Sequence, residues 1–398
     1  MMKIKKTVFL VLLFLTLAAV AALFFLKEWE VPLSPEKMKA TEIVENAWLG
    51  YKRYFIEPDG RVNRPDSGDT VSEGQAYAML RAVLTGDKET FDKCYLWTEE
   101  NLSRKSSRGD NLLAWLWDRG AVKDWMPAAD ADIDYALALV FADSIWEGEN
   151  PGGTDYYGRR ARYMLDDILR LLTYRTSSGR LYLSPWIIGQ EKKTRYPVNP
   201  SYYSPAHFRV FYQFTSDKRW LELVDTMYYI LDSISKNFDG KEGRGLIPDW
   251  CAVGDNDEFY VLEGKSSGFG WEAVRVPLRV AMDYYWFKGK TAQDFLSGGF
   301  SRFVEGQWKN NGAVFCEYSY DGTSSNEYED ALFYAAYYCA LSAGESRYSK
   351  DMLQKNRSFL RKEAAGWVYN DTSAYYTNSL AWFADGFISG ILRLIERR

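Results

Sequence analysis

The chain has 398 residues and a formal net charge of −5, from 54 acidic against 49 basic side chains; 47% of it is hydrophobic and 17% aromatic. It is too apolar to be disordered, and it carries no basic run after Lys6, which excludes nucleic acid as the main partner because phosphate binding needs clustered positive charge. A single histidine, His207, rules out zinc sites with two or more His ligands, and Cys94, Cys251, Cys316 and Cys339 show no C-x-x-C spacing, so neither a metal nor a redox centre is expected.

The chain opens with Lys3, Lys5 and Lys6, followed by an uncharged stretch over residues 8–26 that is long enough to span a bilayer. Its basic flank belongs in the cytoplasm, which places everything after Lys27 outside. A cleaved signal peptide is the competing reading, with Ala19-Val20-Ala21 as the small-residue site. The expected organisation is a membrane anchor or uncleaved signal over 1–28, a short stalk over 29–40 and one large domain over 41–398. The expected location is the cell membrane, single-pass with the domain extracellular, or secretion if the segment is cleaved.

Beyond residue 40, apolar residues recur at helical spacing over 76–84 and 133–145, and then through 206–214, 218–236, 277–287, 291–305, 329–342, 351–363 and 377–396. Only 180–188 and 313–320 resemble strands. The domain is therefore expected to be all-α, built of paired helices as a closed α/α toroid or an open solenoid.

Three acidic segments sit where loops turn into helices. Ser72-Glu73-Gly74-Gln75 fits a capping box as pure structure; as chemistry, Glu73 would be a general acid whose pKa must be raised against the pull of a helix N-terminus. Ala129-Asp130-Ala131-Asp132-Ile133-Asp134 opens a long apolar helix. It lacks the Gly and Glu of a calcium loop, and capping by Asp130 or Asp132 is its ordinary role. Gly270-Trp271-Glu272-Ala273-Val274-Arg275 joins a carboxylate to an arginine three residues on, either as a local ion pair or as a base kept ionised. Asn199-Pro200-Ser201-Tyr202 and Pro248-Asp249-Trp250 read as proline-punctuated loops.

Taken in this order, together with Thr85-Gly86-Asp87-Lys88 and the downstream Trp146, these segments resemble glycoside hydrolase family 8 over about residues 40–395. The resemblance implies an (α/α)6 barrel and inverting hydrolysis of β-1,4-linked glycans. It also implies Glu73 as general acid, Asp130 as the residue orienting the central sugar, and Tyr202 and Arg275 as active-site partners. Glu272 falls where many members carry Asp as general base, and Ala129 replaces the usual Ser or Thr.

Inversion needs a protonated carboxyl and an ionised one about 6.5–9.5 Å apart, so that a water fits opposite the leaving oxygen. Trp115 and Trp271 are the preferred sugar platforms, with Asp249 as a further substrate contact, although most of the 15 Trp, 29 Tyr and 22 Phe must serve the core. The expected partner is a polysaccharide, the producing cell's own exopolysaccharide, with the membrane contacted through the N-terminal segment and a synthase complex as a further candidate; no cofactor is implied. Alternatives are a secreted endo-β-1,4-glucanase or chitosanase, and a non-catalytic glycan-binding subunit.

Overall fold

A computed structural model describes residues 34–146, 156–189 and 193–396. The apolar run over 8–26 lies outside them. Among the described residues no helix is long and apolar enough to cross a membrane. The chain divides into a short unit, Met1–Lys39, and a large one, Ala40–Arg398, which holds everything below.

The large unit is mainly helical. In chain order its principal helices are α1 (Pro35–Phe55, from Ala40 on), α2 (Ser72–Thr85), α3 (Lys88–Asn101), α4 (Ala129–Ile145), α5 (Tyr156–Leu171), α6 (Pro205–Thr215), α7 (Arg219–Lys236), α8 (Arg275–Phe287), α9 (Lys290–Leu296), α10 (Gly299–Asn311), α11 (Ala331–Ala343), α12 (Ser349–Ser358), α13 (Tyr375–Leu380) and α14 (Phe383–Ser389). They alternate between two kinds. α4 is buried from Ala129 to Asp143, and α2 and α11 are buried on nearly every side. α3, α5 and α7 instead bury one stripe; in α7 it is Trp220, Leu223, Val224, Met227, Ile230, Leu231 and Ile234, the three-and-four spacing of a surface helix.

Each all-round-buried helix packs against the one that follows it in sequence and against the next of its own kind. α2 meets α4, α4 meets α6, α6 meets α8, α8 meets α11, α11 meets both α13 and α14, and α13 returns to α2. The set closes on itself, and the N-terminal ends of α2, α4 and α8 carry the acidic segments to one place.

Short antiparallel sheets aim the loops. Thr70–Val71 pairs with Leu116–Asp118, and the N–H of Ser72 donates to the Trp115 carbonyl at 3.0 Å, fixing the start of α2. Arg195–Val198 pairs with Cys251–Gly254, Val198 opposite Cys251. Asn199 and Trp250 therefore leave the same end of one ladder. Gly86, at φ 74°, closes α2 in the left-handed conformation that glycine adopts without strain.

Several expected elements differ. In 180–188 only Leu181–Leu183 is a strand, and 313–320 forms isolated bridges at Tyr318. The helix expected over 291–305 breaks at Ser297-Gly298. The one over 351–363 stops at Ser358, because Leu360–Glu363 pairs with Gly366–Tyr369. The one over 377–396 is two short helices, the second ended by Gly390 at φ 78°. Gly298 stands at the first of these helix breaks, cross-chain pairing ends the second helix, and Gly390 ends the third, whose internal break at Ala381-Trp382 involves neither.

The capping box at 72–75 is not formed either, since the cap position is Val71 and no side chain serves it. Gln75 points inward. Its Oε1 accepts from the Val62 N–H, and its Nε2 donates to the carbonyls of Gly60 and Cys94 and to Thr98 Oγ1. Replacing it by Leu strands the buried Val62 N–H. The expected cost is about 2 kcal/mol of unfolding free energy, read from denaturant titration. All four cysteines are buried free thiols.

Candidate active site

One arginine organises the site. Arg275, at the first position of α8, is 2% exposed. Its Nη1 donates to Glu73 Oε2 and to Asp130 Oδ2, both at 2.7 Å, and reaches the Tyr77 hydroxyl at 3.4 Å. Its Nη2 donates to Glu272 Oε2, and its Nε to Ser201 Oγ at 3.2 Å. The guanidinium also lies over the Tyr202 ring, 5.2 Å from its centroid. Three carboxylates from segments about 200 residues apart in the chain thus share one cation.

The local ion pair between Glu272 and Arg275 exists, but it is one arm of this larger cluster. Neither Asp130 nor Asp132 caps α4, whose cap position is Ala128 without a side-chain bond. The acids diverge instead. Asp130 meets Arg275, Asp132 accepts from the Leu113 N–H at 2.9 Å, and Asp134 pairs with Arg279.

Burial sorts the three carboxylates. Glu73 and Glu272 keep 21% and 32% of their side-chain surface open, whereas Asp130 keeps 3%. Glu73 and Glu272 are therefore accessible from outside, while Asp130 lies beneath them. One cation cannot neutralise three carboxylates, so a proton belongs in the cluster. Burial pushes Glu73 up to about 8 against the pull of Arg275, with Asp130 and Glu272 adding to the rise. Asp130 is also raised, again mainly by burial. Desolvation thus outweighs the helix N-terminus and favours the protonated form of Glu73.

The direction has a measurable consequence. A general acid works while protonated, so if Glu73 serves as one, kcat/KM should fall as pH rises through about 8. The same group weakens the fold as pH climbs from its ordinary value near 4.5 toward about 8, because over that span the folded form binds the extra proton. A pH–rate profile with parallel melting curves checks both.

Glu272 also accepts from Asn199 Nδ2 at 2.9 Å, and Asn199 in turn receives the N–H and hydroxyl of Ser201. Asp249, expected as a sugar contact, lies behind the turn that carries Glu272. It is 7% exposed, and its Oδ1 accepts the backbone N–H groups of Glu272 and Ala273. Of the expected platforms, Trp115 is half-buried and bonds α2 through its carbonyl. Trp271 packs edge-on against Phe333, 4.9 Å between centroids, and with Tyr328 and Tyr376 lines a cavity of about 690 Å³. A second aromatic row runs from Tyr202 to Trp250 to Trp186, each step 5.7 Å.

Beneath lies a second ionic layer one helical turn deeper. Arg279 grips Asp134 through both nitrogens at 2.6 and 2.5 Å, and Asp134 pairs at 2.9 Å with His207, whose Nδ1 meets Ser204 Oγ. His207 is fully buried and held neutral by that burial. It serves this layer and lies apart from the reacting carboxylates. Tyr77 and Tyr376 fall in no motif read from the sequence, and Asn199 and Ser201 stand in the 199–202 motif without a role of their own; Tyr77 follows Glu73 at i+4 and so shares its helix face.

The family model described as glycosyl hydrolases family 8 matches residues 36–388. The chain belongs to that family and is a glycoside hydrolase. It is 29% identical to "Endoglucanase A" of Acetivibrio thermocellus, over 89% of this chain and 68% of that protein. It is 28% identical to "Endoglucanase C" of Ruminiclostridium cellulolyticum, over 84% and 66%. Among solved structures, the endo-1,4-D-glucanase of Vibrio fischeri superposes with a TM-score of 0.72 at 25% identity, covering 86% of this chain and 94% of that one. The chain thus spans about two thirds of the length of these two curated relatives.

Proposed function

We propose that the chain is an endo-acting hydrolase of β-linked glucan, built on an (α/α)6 barrel and working with inversion. Glu73 gives a proton to the leaving oxygen, Glu272 takes one from water, and Asp130 with Arg275 orients the sugar between them. The observation that carries this reading is the meeting of Glu73, Asp130 and Glu272 on the single guanidinium of Arg275, with the two outer carboxylates accessible and the inner one buried. Glu73 and Glu272 occupy different nitrogens of that group, so they approach the space above it from separate helical starts. The names of the relatives support β-1,4-glucan as the substrate class.

The finer reading is action outside the cell on the producing cell's own exopolysaccharide, with residues 1–28 as membrane anchor. A tether is of little use to a freely secreted digestive enzyme, and it suits one that trims a polymer as it emerges. Fractionation of the full chain, with polymer length compared between full and anchor-deleted forms, tests the tether. An unaltered polymer would count against it.

The chemistry is tested by reducing-end release from cellulose derivatives, mixed-linkage glucan, chitosan and xylan, with the anomer of the first product followed by NMR. α product from a β linkage is expected. Early β product would contradict inversion, and no release from any polymer would favour a purely binding role.

A further inference from the structure

We infer that Asp249 is a positioning residue that sets the reach of Glu272 by holding its backbone, an assignment that rests on the reading of Glu272 as the base. The turn over 270–274 leads into α8, and no side chain of its own caps it. Asp249 supplies that cap from a distant segment, accepting the N–H of Glu272 at 3.1 Å and of Ala273 at 2.8 Å on the same oxygen. Its other oxygen faces Gly270, where a Cβ would stand 2.9 Å from Oδ2. Glycine at 270 is what lets the carboxylate approach the turn.

Asp249 is itself fixed. Its N–H donates to the Gly268 carbonyl at 2.7 Å, and the N–H of Trp250 donates to Ser266 at 3.0 Å. Cys251 continues into the ladder with Val198, the strand that delivers Asn199. Glu272 is therefore held twice from one ladder end, by Asn199 at its carboxylate and by Asp249 at its backbone. With Oδ1 occupied by two N–H groups, the Ser266 side chain hydrogen-bonded to the carboxylate and the residue 7% exposed, Asp249 has little left to offer a sugar hydroxyl. Burial pushes Asp249 up to about 6, although the two N–H donors and the Ser266 side chain oppose the rise, so the bonds that hold the turn strengthen as the group ionises.

Initial rates on a soluble β-glucan for Asp249→Ala, Asp249→Asn and Gly270→Ala, each with its melting curve, decide the matter. Loss of the cap lets Glu272 drift, and a displacement of about 1 Å can cost about 10²-fold in rate. The expected result for Asp249→Ala is a kcat about 10²-fold lower with KM nearly unchanged. Asp249→Asn keeps the acceptor oxygen and should restore most of kcat, while Gly270→Ala should lower kcat in the same direction as Ala at 249. A raised KM at unchanged kcat would make Asp249 a sugar ligand and overturn the inference. So would an Asn variant that melts like wild type yet is as impaired as Ala. If Asp249→Ala fails to fold, the Asn and Gly270 variants still decide. An active wild type with indifferent variants removes this inference alone, whereas an inactive wild type removes the reading of the site as well.

Discussion

Glu73→Gln lowers kcat on a soluble β-glucan by about 10³-fold, inside the range of about 10² to 10⁴ that positioned proton transfer contributes, while leaving the melting temperature at pH 7 essentially where it was. The pairing of those two outcomes is what makes the test sharp. A carboxyl pushed up to about 8 is already neutral at pH 7, so an amide of the same shape replaces it without adding or removing charge. What the amide lacks is a proton to give. A residue that only braced the fold would show the reverse pattern, a lower melting temperature with activity preserved in the surviving folded fraction. Steady-state rates and calorimetry on the same preparations separate the two.

Arg275→Met is expected to remove activity and to destabilise the fold by about 3–5 kcal/mol, the usual consequence of taking one partner from a buried ionic cluster. Asp130 explains the size. With 3% of its side chain open it has no water to turn to, and Arg275 is the cation that its Oδ2 meets at 2.7 Å. The loss should shrink at low pH, because protonated carboxyls no longer need a counter-charge. Denaturant titrations at pH 7 and pH 4 therefore ought to show a larger difference between wild type and variant at the higher pH; equal differences would mean that packing, not charge, is what Arg275 supplies. Arg275→Lys should not restore activity, since an ammonium cannot present separate nitrogens to Glu73 and Glu272.

The sequence shows the acidic segments at 73, 130 and 272 and the arginine at 275 because each stands in a short, ordered motif at the start of a helix. What it hides is partnership. Gln75 fits a capping box by spacing, yet its partners are Gly60, Val62, Cys94 and Thr98, supplied by a neighbouring loop and helix. Asp249 stands next to a tryptophan and so resembles a sugar contact; its actual partners are backbone N–H groups, which every residue except proline carries and no motif advertises. Tyr77 and Arg279 lie one turn beyond Glu73 and Arg275 and were within reach of the helical period. Tyr376 was not, because it stands just before the run over 377–396 that reads as a helix, whereas α13 begins at Tyr375.

The two ionic layers between α4 and α8 repeat at four-residue intervals on both helices, Asp130 then Asp134 and Arg275 then Arg279. A slippage of one turn, about 5.4 Å, would still match an acid to a base, so charge alone leaves the phase of the two helices ambiguous. The imidazole of His207 breaks that degeneracy, since its Nε2 stands against both members of the lower pair, 2.9 Å from Asp134 and 3.3 Å from Arg279 Nη1, and against neither member of the upper one. The chain's sole histidine is thus a key that fits one alignment, and it favours that alignment over one in which the lower pair sits where the upper one belongs.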